Sequence, residues 1–272
     1  IEPGPAGHGL QVYAPDLDRQ VDVKSAPDDE PLATITLDTL EAIGVVSEQD
    51  LRITVTSTIP IARGMGSGAA VSTAIVRALA KRFGRWFPSQ AISDLVYQTE
   101  VLYHGTPSGI DNTVIAFEKP VYFVKGEVQE VFWVGRPFLL AIADTGIEAS
   151  TREVVGDLRQ RYQSSPGRYE GLFDQATELT LSARSAIEQG HTGALGRLMN
   201  ENHSLLRELG VSCPELDRLV TAAQEGGALG AKMSGAGWGG NMIALVGEDT
   251  RGCVDMMLRL AGATNVIITE IG

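Results

Sequence analysis

The stretch PIARGMGSGAA at residues 60–70 constrains this chain more than any other feature, because it joins the alternating run LRITVTST to the apolar helical run AAVSTAIVRALAKRFG. A strand that ends in a loop of small residues and re-emerges as a helix brings successive backbone N–H groups to a helix N-terminus. Such amides, backed by the positive end of the helix dipole, make an anion site. Ser67 adds a hydroxyl suited to a phosphate oxygen or a metal ion. A tight strand-to-helix turn, with glycine for close packing, is the other reading, and the glycines alone leave both open.

Dinucleotide fingerprints do not fit. Gly64, Gly66 and Ala69 match G-x-G-x-x-A, but that fold also wants an acidic residue roughly 20 positions on for the ribose, and the stretch from Lys81 to Gln90 has none. Gly235, Gly237 and Gly240 match G-x-G-x-x-G, yet a strand-like run, NMIALVG, follows where a helix is required. No G-x-x-x-x-G-K-[ST] segment is present, which excludes a P-loop enzyme.

Charge narrows the classes further. With 22 basic and 34 acidic residues the net charge is −12, and a surface that negative repels nucleic-acid backbones and anionic lipid. A phosphate compound would have to be held by backbone amides, a helix N-terminus and a divalent cation. No apolar run approaches a membrane span, no secretory signal opens the sequence, and Cys213 and Cys253 read as reduced structural thiols. The expectation is a soluble, cytoplasmic protein with no nucleic-acid or membrane partner.

At 272 residues the chain has room for one large or two modest domains. GLQVYA, PLATITL and LRITVTST read as strands, then AAVSTAIVRALAKRFG and SQAISDLVYQTEVLYHG as helices. Ser89 and Ser93 are candidate N-caps, and TVIAFEKPVYFVKGEVQEVFWV reads as an antiparallel pair turning near Gly126. From about residue 136 come the strand RPFLLAIADTG, helices over 150–225, the strands ALGAKMS and NMIALVG, a helix over 250–261 and the strand NVIITEI. The fold class is α+β in two domains, residues 1–135 and 136–272.

Three segments together resemble the GHMP kinase superfamily. PIARGMGSGAA is similar to its phosphate-wrapping motif P-x-x-x-G-L-G-S-S-A-A, and KMSGAGWGGNMIAL at 232–245 to its third motif, K-L-T-G-A-G-G-G-G. EVLYHGTPSGIDN at 100–112 resembles the mevalonate kinases of that superfamily, in which a helix Glu precedes H-G-x-P-S-G-[IV]-D-N by the same interval. The resemblance implies an S5-like N-terminal domain, a ferredoxin-like C-terminal domain and a site in the cleft between them. It implies ATP and Mg²⁺, with Pro60, Gly64, Met65, Gly66, Ser67, Gly68, Ala69 and Ala70 binding ATP. Asp111 is the implied catalytic residue beside the substrate hydroxyl, with Ser108, Gly109, Ser234, Gly235 and Ala236 near the substrate. Glu100 and Ser67 are the implied metal ligands.

Two departures accompany it. The family's second loop serine is Gly68 here, so either Ser67 or a water takes its duty, or the metal leans more on Glu100. A first motif carrying a Lys belongs ahead of a strand like GLQVYA, so the N-terminal domain is expected to have its first strand and motif upstream of Ile1. The function so implied is phosphorylation of the mevalonate hydroxyl, in isoprenoid biosynthesis, with a homodimer allowed. Another GHMP kinase such as phosphomevalonate kinase, or a non-catalytic GHMP-fold sensor of nucleotide or substrate, is the alternative.

Other residues carry less. Ser150-x-x-Glu153 and Ser212-x-x-Glu215 are expected capping boxes. His104 reads as a packed histidine, and Lys232 reaches phosphate or sits solvated at a strand end. Trp238, inside the third glycine loop, has no role fixed by the sequence.

Overall fold

The computed structural model describes residues 1–45, 50–59, 65–104 and 107–272, the side chains at 103 and 104 excepted. Pro60, Gly64 and the side chain of His104 therefore lie outside the described residues. The chain divides into two compact units, Ile1–Val131 and Phe132–Gly272.

The first unit runs β1 (Glu2–Pro3), β2 (Leu10–Ala14), β3 (Arg19–Asp22), α1 (Pro31–Ala42), β4 (Leu51–Thr54), α2 (Ser67–Arg82), α3 (Ser89–His104), α4 (Ile110–Phe117), β5 (Val121–Tyr122) and β6 (Glu130–Val131). Its sheet has the order β1-β4-β2-β3, with β2 parallel to β4 and the other pairs antiparallel. Val12, Val21 and Ile53 from the sheet pack against Ile35 of α1, Ile75, Val76 and Leu79 of α2, and Val96 of α3. Each such buried aliphatic stabilises the unit by about 1.5–3 kcal/mol, so this core fixes α2, which the glycine loop opens, and α3, which carries Glu100.

PLATITL is not a strand but the start of α1. Its β-branched run Thr34-Ile35-Thr36 favours a strand, yet Leu32, Ala33, Ile35, Thr36 and Thr39 are buried together, a helical spacing. Pro31 stands at the first helical position and Glu30 accepts from the Leu32 amide, both of which start a helix. The buried Thr36 and Thr39 hydroxyls donate to Leu32 O and Ile35 O, which satisfies them inside the helix. The antiparallel pair expected over 113–134 is likewise shortened. TVIAF belongs to α4, and pairing is confined to Val121↔Val131 and Tyr122↔Glu130.

The second unit contains β7 (Phe138–Asp144), α5 (Thr151–Ser164), α6 (Pro166–Glu188), α7 (Thr192–Glu208), α8 (Pro214–Glu225), β8 (Gly230–Ser234), β9 (Asn241–Val246), α9 (Arg251–Leu260) and β10 (Asn265–Ile271). The sheet order β10-β7-β9-β8, antiparallel throughout, is the ferredoxin-like order. Ala141, Ala143, Met233, Met242 and Ala244 point to the face covered by Leu216 and Leu219 of α8 and Val254 and Leu258 of α9. On the opposite face Leu140, Ile243 and Leu245 meet Ala186 of α6 and Leu195 and Met199 of α7. Ser150 caps α5 as expected, accepting from the Glu153 amide at 3.4 Å. Ser212 does not cap α8: Cys213 is its N-cap residue, and the Ser212 hydroxyl donates to Asp217 at 2.6 Å.

β8 is an edge strand, and α7 closes its edge. Asn200 Oδ1 accepts from the Ala231 amide at 2.9 Å, and His203 Nδ1 accepts from the Met233 amide at 3.3 Å. This leaves the proton on Nε2, which faces Asp217 Oδ1 at 3.1 Å. Burial holds the His203 pKa below its ordinary 6.5, against the pull of Asp217; Arg207 and Lys232 also lower it. Because the unfolded chain binds that proton more readily, stability falls as pH drops through the mid-sixes and below. The melting temperature of the wild type should therefore drop more between pH 7.5 and 5.5 than that of His203→Gln, whose amide oxygen can still accept from Met233. Equal slopes would contradict this role.

Candidate active site

The first unit places α2, α3 and α4 against one another, and each carries residues expected at the site. Gly66 is the N-cap residue of α2 in the left-handed conformation, with φ 66° and ψ 29°. Its carbonyl accepts from the Ala70 amide at 2.9 Å, and Ser67 is the first helical residue. First-turn N–H groups have no acceptor within a helix, and glycine has no side chain to cap them. Met65, Ser67, Gly68 and Ala70 are half-buried, whereas Ala69 is wholly buried and roots the turn in the core.

Gly66 also has a neighbour that explains its size. A Cβ on it would lie 2.9 Å from Ile115 Cδ1 and 3.5 Å from both Cβ and Cγ of Asp111. The glycine thus lets the N-terminus of α2 sit directly against the first turns of α4. That contact unites two of the sequence-derived site residues, Gly66 and Asp111.

Asp111 is exposed in the first turn of α4, where the helix dipole favours negative charge. Gly109 is the N-cap residue and is buried, while Ser108 is exposed with its Oγ accepting from the Ile110 amide at 3.3 Å. The next two residues lock α4 onto α3. Asn112 Nδ2 donates to Ser93 O at 3.1 Å and to Ser93 Oγ at 2.9 Å. Thr113 Oγ1 donates to Gly109 O at 2.6 Å and lies 3.3 Å from Ser93 Oγ. Ser93 is therefore no helix cap: α3 begins at Ser89, and Ser93 is a buried anchor for the segment bearing Asp111. Its signal was present in the sequence as a serine on the apolar side of a helix, one position from Ile92.

Glu100 lies on the same α3 and is only 4% exposed, unusual for a carboxylate. Lys232, on β8 of the second unit, is half-buried, and partial loss of hydration lowers its pKa. Ser234 ends β8 and is exposed, as is Gly235, and Ala236 is half-buried.

Comparison with known proteins places the chain in a family. The description "GHMP kinases N terminal domain" matches residues 32–119 and "GHMP kinases C terminal" matches residues 183–252. The mevalonate kinase of Pyrococcus furiosus is 36% identical over 242 residues, covering 85% of this chain and 71% of that protein. That of Pyrococcus abyssi is 37% identical over 232 residues, covering 82% and 68%. Among solved structures, L. major mevalonate kinase in complex with R-mevalonate superposes with a TM-score of 0.84 at 29% identity, covering 98% of this chain and 84% of that one. The Methanococcus jannaschii mevalonate kinase shares the fold, with a TM-score of 0.83 at 21% identity over 98% and 85% of the two chains. Matched in both halves and by relatives along most of its length, the chain belongs to the GHMP kinase family.

Proposed function

We propose that this kinase transfers the γ-phosphoryl group of ATP to the hydroxyl of mevalonate, yielding 5-phosphomevalonate and ADP. The observation that carries this reading is the contact between Gly66, at the amide-bearing start of α2, and Asp111, at the start of α4. Phosphoryl transfer needs little covalent help from the protein; it needs an aligned nucleophile and a site for the charge on the γ-phosphoryl oxygens. The amides of residues 66–69 would take the phosphate oxygens. Asp111 would orient the substrate hydroxyl and accept its proton as that oxygen bonds to the γ-phosphorus and the bond to the β-phosphate oxygen breaks. Ser108, Gly109, Ser234, Gly235 and Ala236 are assigned to the substrate, residues 1–135 to ATP and 136–272 to the C-terminal half. No described helix is long and apolar enough to cross a membrane, and a cytoplasmic enzyme is the setting proposed.

Mg²⁺ is assigned to Glu100 and Ser67. Among the described residues no group of three or more His, Cys, Asp or Glu could hold a metal ion. Mg²⁺ needs no such cage, since one or two carboxylates beside phosphate oxygens and water suffice. A buried carboxylate and a hydroxyl, both hard oxygen donors, fit that demand. The bound cation would neutralise charge on the phosphate oxygens. Glu100→Gln should therefore weaken use of Mg²⁺–ATP, and raising Mg²⁺ at fixed ATP should restore part of the rate. An unaltered Mg²⁺ dependence would remove Glu100 from the metal site.

The substrate is tested by coupled ADP release from the full-length protein over mevalonate, phosphomevalonate, homoserine and galactose. Mevalonate is expected to give the highest kcat/KM. A higher value for any of the others would reassign the substrate, and no ADP with any of them would favour a sensor.

A further inference from the structure

Trp238 is the only residue of the loop Gly235–Gly240 with a side chain larger than methyl, and its backbone is left-handed, with φ 57°. Few L residues take that conformation, so the surroundings must hold it. They do so at two atoms. The Trp238 amide donates to Val211 O at 2.9 Å, and the indole Nε1–H donates to Gly210 O at 3.0 Å. The ring packs on the core cluster that includes Leu209 and Val211. Next to it, a Cβ on Gly237 would fall 1.9 Å from Val211 O, so the loop lies directly on the turn between α7 and α8.

The loop's other end is tied to a different segment. The Thr145 amide and its Oγ1 both donate to Gly240 O at 2.9 Å, and the Gly240 amide donates to Ile147 O at 2.9 Å. Residues 237–240 are thus fastened from two sides. The preceding Ser234 and Gly235 are exposed, and a Cβ on Gly235 would meet nothing within 4 Å.

We propose that Trp238 is a positioning residue, whose indole clasps the α7–α8 turn so that Ser234, Gly235 and Ala236 are presented to the substrate in one conformation. This rests on the mevalonate reading above. A six-residue loop with four glycines would otherwise have to be ordered at the moment of binding, a cost that lowers affinity. The related motif K-L-T-G-A-G-G-G-G has a fifth glycine at the position of Trp238, and a glycine there could form no such clasp.

The test measures KM and kcat separately in the full-length protein. Trp238→Gly accepts the left-handed backbone and removes the ring and its N–H; Trp238→Phe keeps an aromatic ring, smaller than indole, and removes the donor. The KM for mevalonate should rise about tenfold in Trp238→Gly and less in Trp238→Phe, with kcat nearly unchanged, the pattern of lost uniform binding. If Trp238→Gly does not fold, Trp238→Phe alone carries the comparison. A second readout is spectroscopic, since Trp86 and Trp133 are 81% and 72% exposed and Trp238 is the half-buried one. In the Trp86→Phe/Trp133→Phe protein, saturating mevalonate should shift the remaining emission. Wild-type KM in a folded Trp238→Gly protein, loss of kcat at constant KM, or emission blind to mevalonate would overturn the assignment. Absence of mevalonate turnover in the wild type would instead overturn the substrate reading, so the two failures are distinct.

Discussion

Replacing Asp111 by Asn is expected to lower kcat by roughly a hundredfold or more, the range for a lost acid–base group. Asn has the same shape and still hydrogen-bonds, but its amide cannot take the proton of the attacking hydroxyl. The helix should tolerate the change. Removing one carboxylate from the first turn of α4 costs about 0.3–1 kcal/mol, and the neighbouring Asn112 and Thr113 bonds that hold α4 to α3 are untouched. Nucleotide binding should therefore survive, as measured by calorimetry. Extra Mg²⁺ should not restore the rate, in contrast to Glu100→Gln. Wild-type kcat in the variant, or recovery with Mg²⁺, would show that Asp111 is not the residue acting on the hydroxyl.

The second large effect is at Gly66. Gly66→Val places a branched side chain at φ 66°, and left-handed backbone costs an L residue about 1–2 kcal/mol on its own. Its Cβ would begin 2.9 Å from Ile115 Cδ1 and 3.5 Å from the Asp111 carboxyl carbon, forcing α2 and α4 apart where the phosphate is assigned. ATP affinity should drop beyond detection. Ser67→Ala deletes one hydroxyl, worth about 1 kcal/mol as a neutral hydrogen bond, and should weaken ATP less than about tenfold. Titration of ATP into both variants, each with its thermal melt as a check on folding, decides the matter. Parental affinity in a folded Gly66→Val protein would remove the loop from the nucleotide site.

Much of this was legible in the sequence because the signals were local. A glycine loop before an apolar helix marked α2, and the run SQAISDLVYQTEVLYHG marked α3 with Glu100 on it. Strands β7 and β9 are near-continuous apolar runs and could scarcely be read otherwise. PLATITL and TVIAF were misread because β-branched residues favour strands only as a weak prior, which tertiary burial overrides. In α1 two threonines hydrogen-bond inside the helix, and in α4 Thr113 does the same, so the local preference is cancelled. The contacts that build the site were not legible, because they join distant segments. Nothing in the sequence pairs Ser93 with Asn112, Gly66 with Ile115, or Trp238 with Gly210. Lys232 was ambiguous for the same reason: whether a strand-end lysine is hydrated depends on what covers it.

The most direct measurement is ³¹P NMR of the full-length protein mixed with Mg²⁺, ATP and R-mevalonate. A phosphomonoester of mevalonate should grow in step with ADP, one for one, and the signal should be absent with Asp111→Asn over the same time. ADP accompanied only by free inorganic phosphate, or no ADP at all under conditions where ATP binds, would contradict phosphoryl transfer to mevalonate.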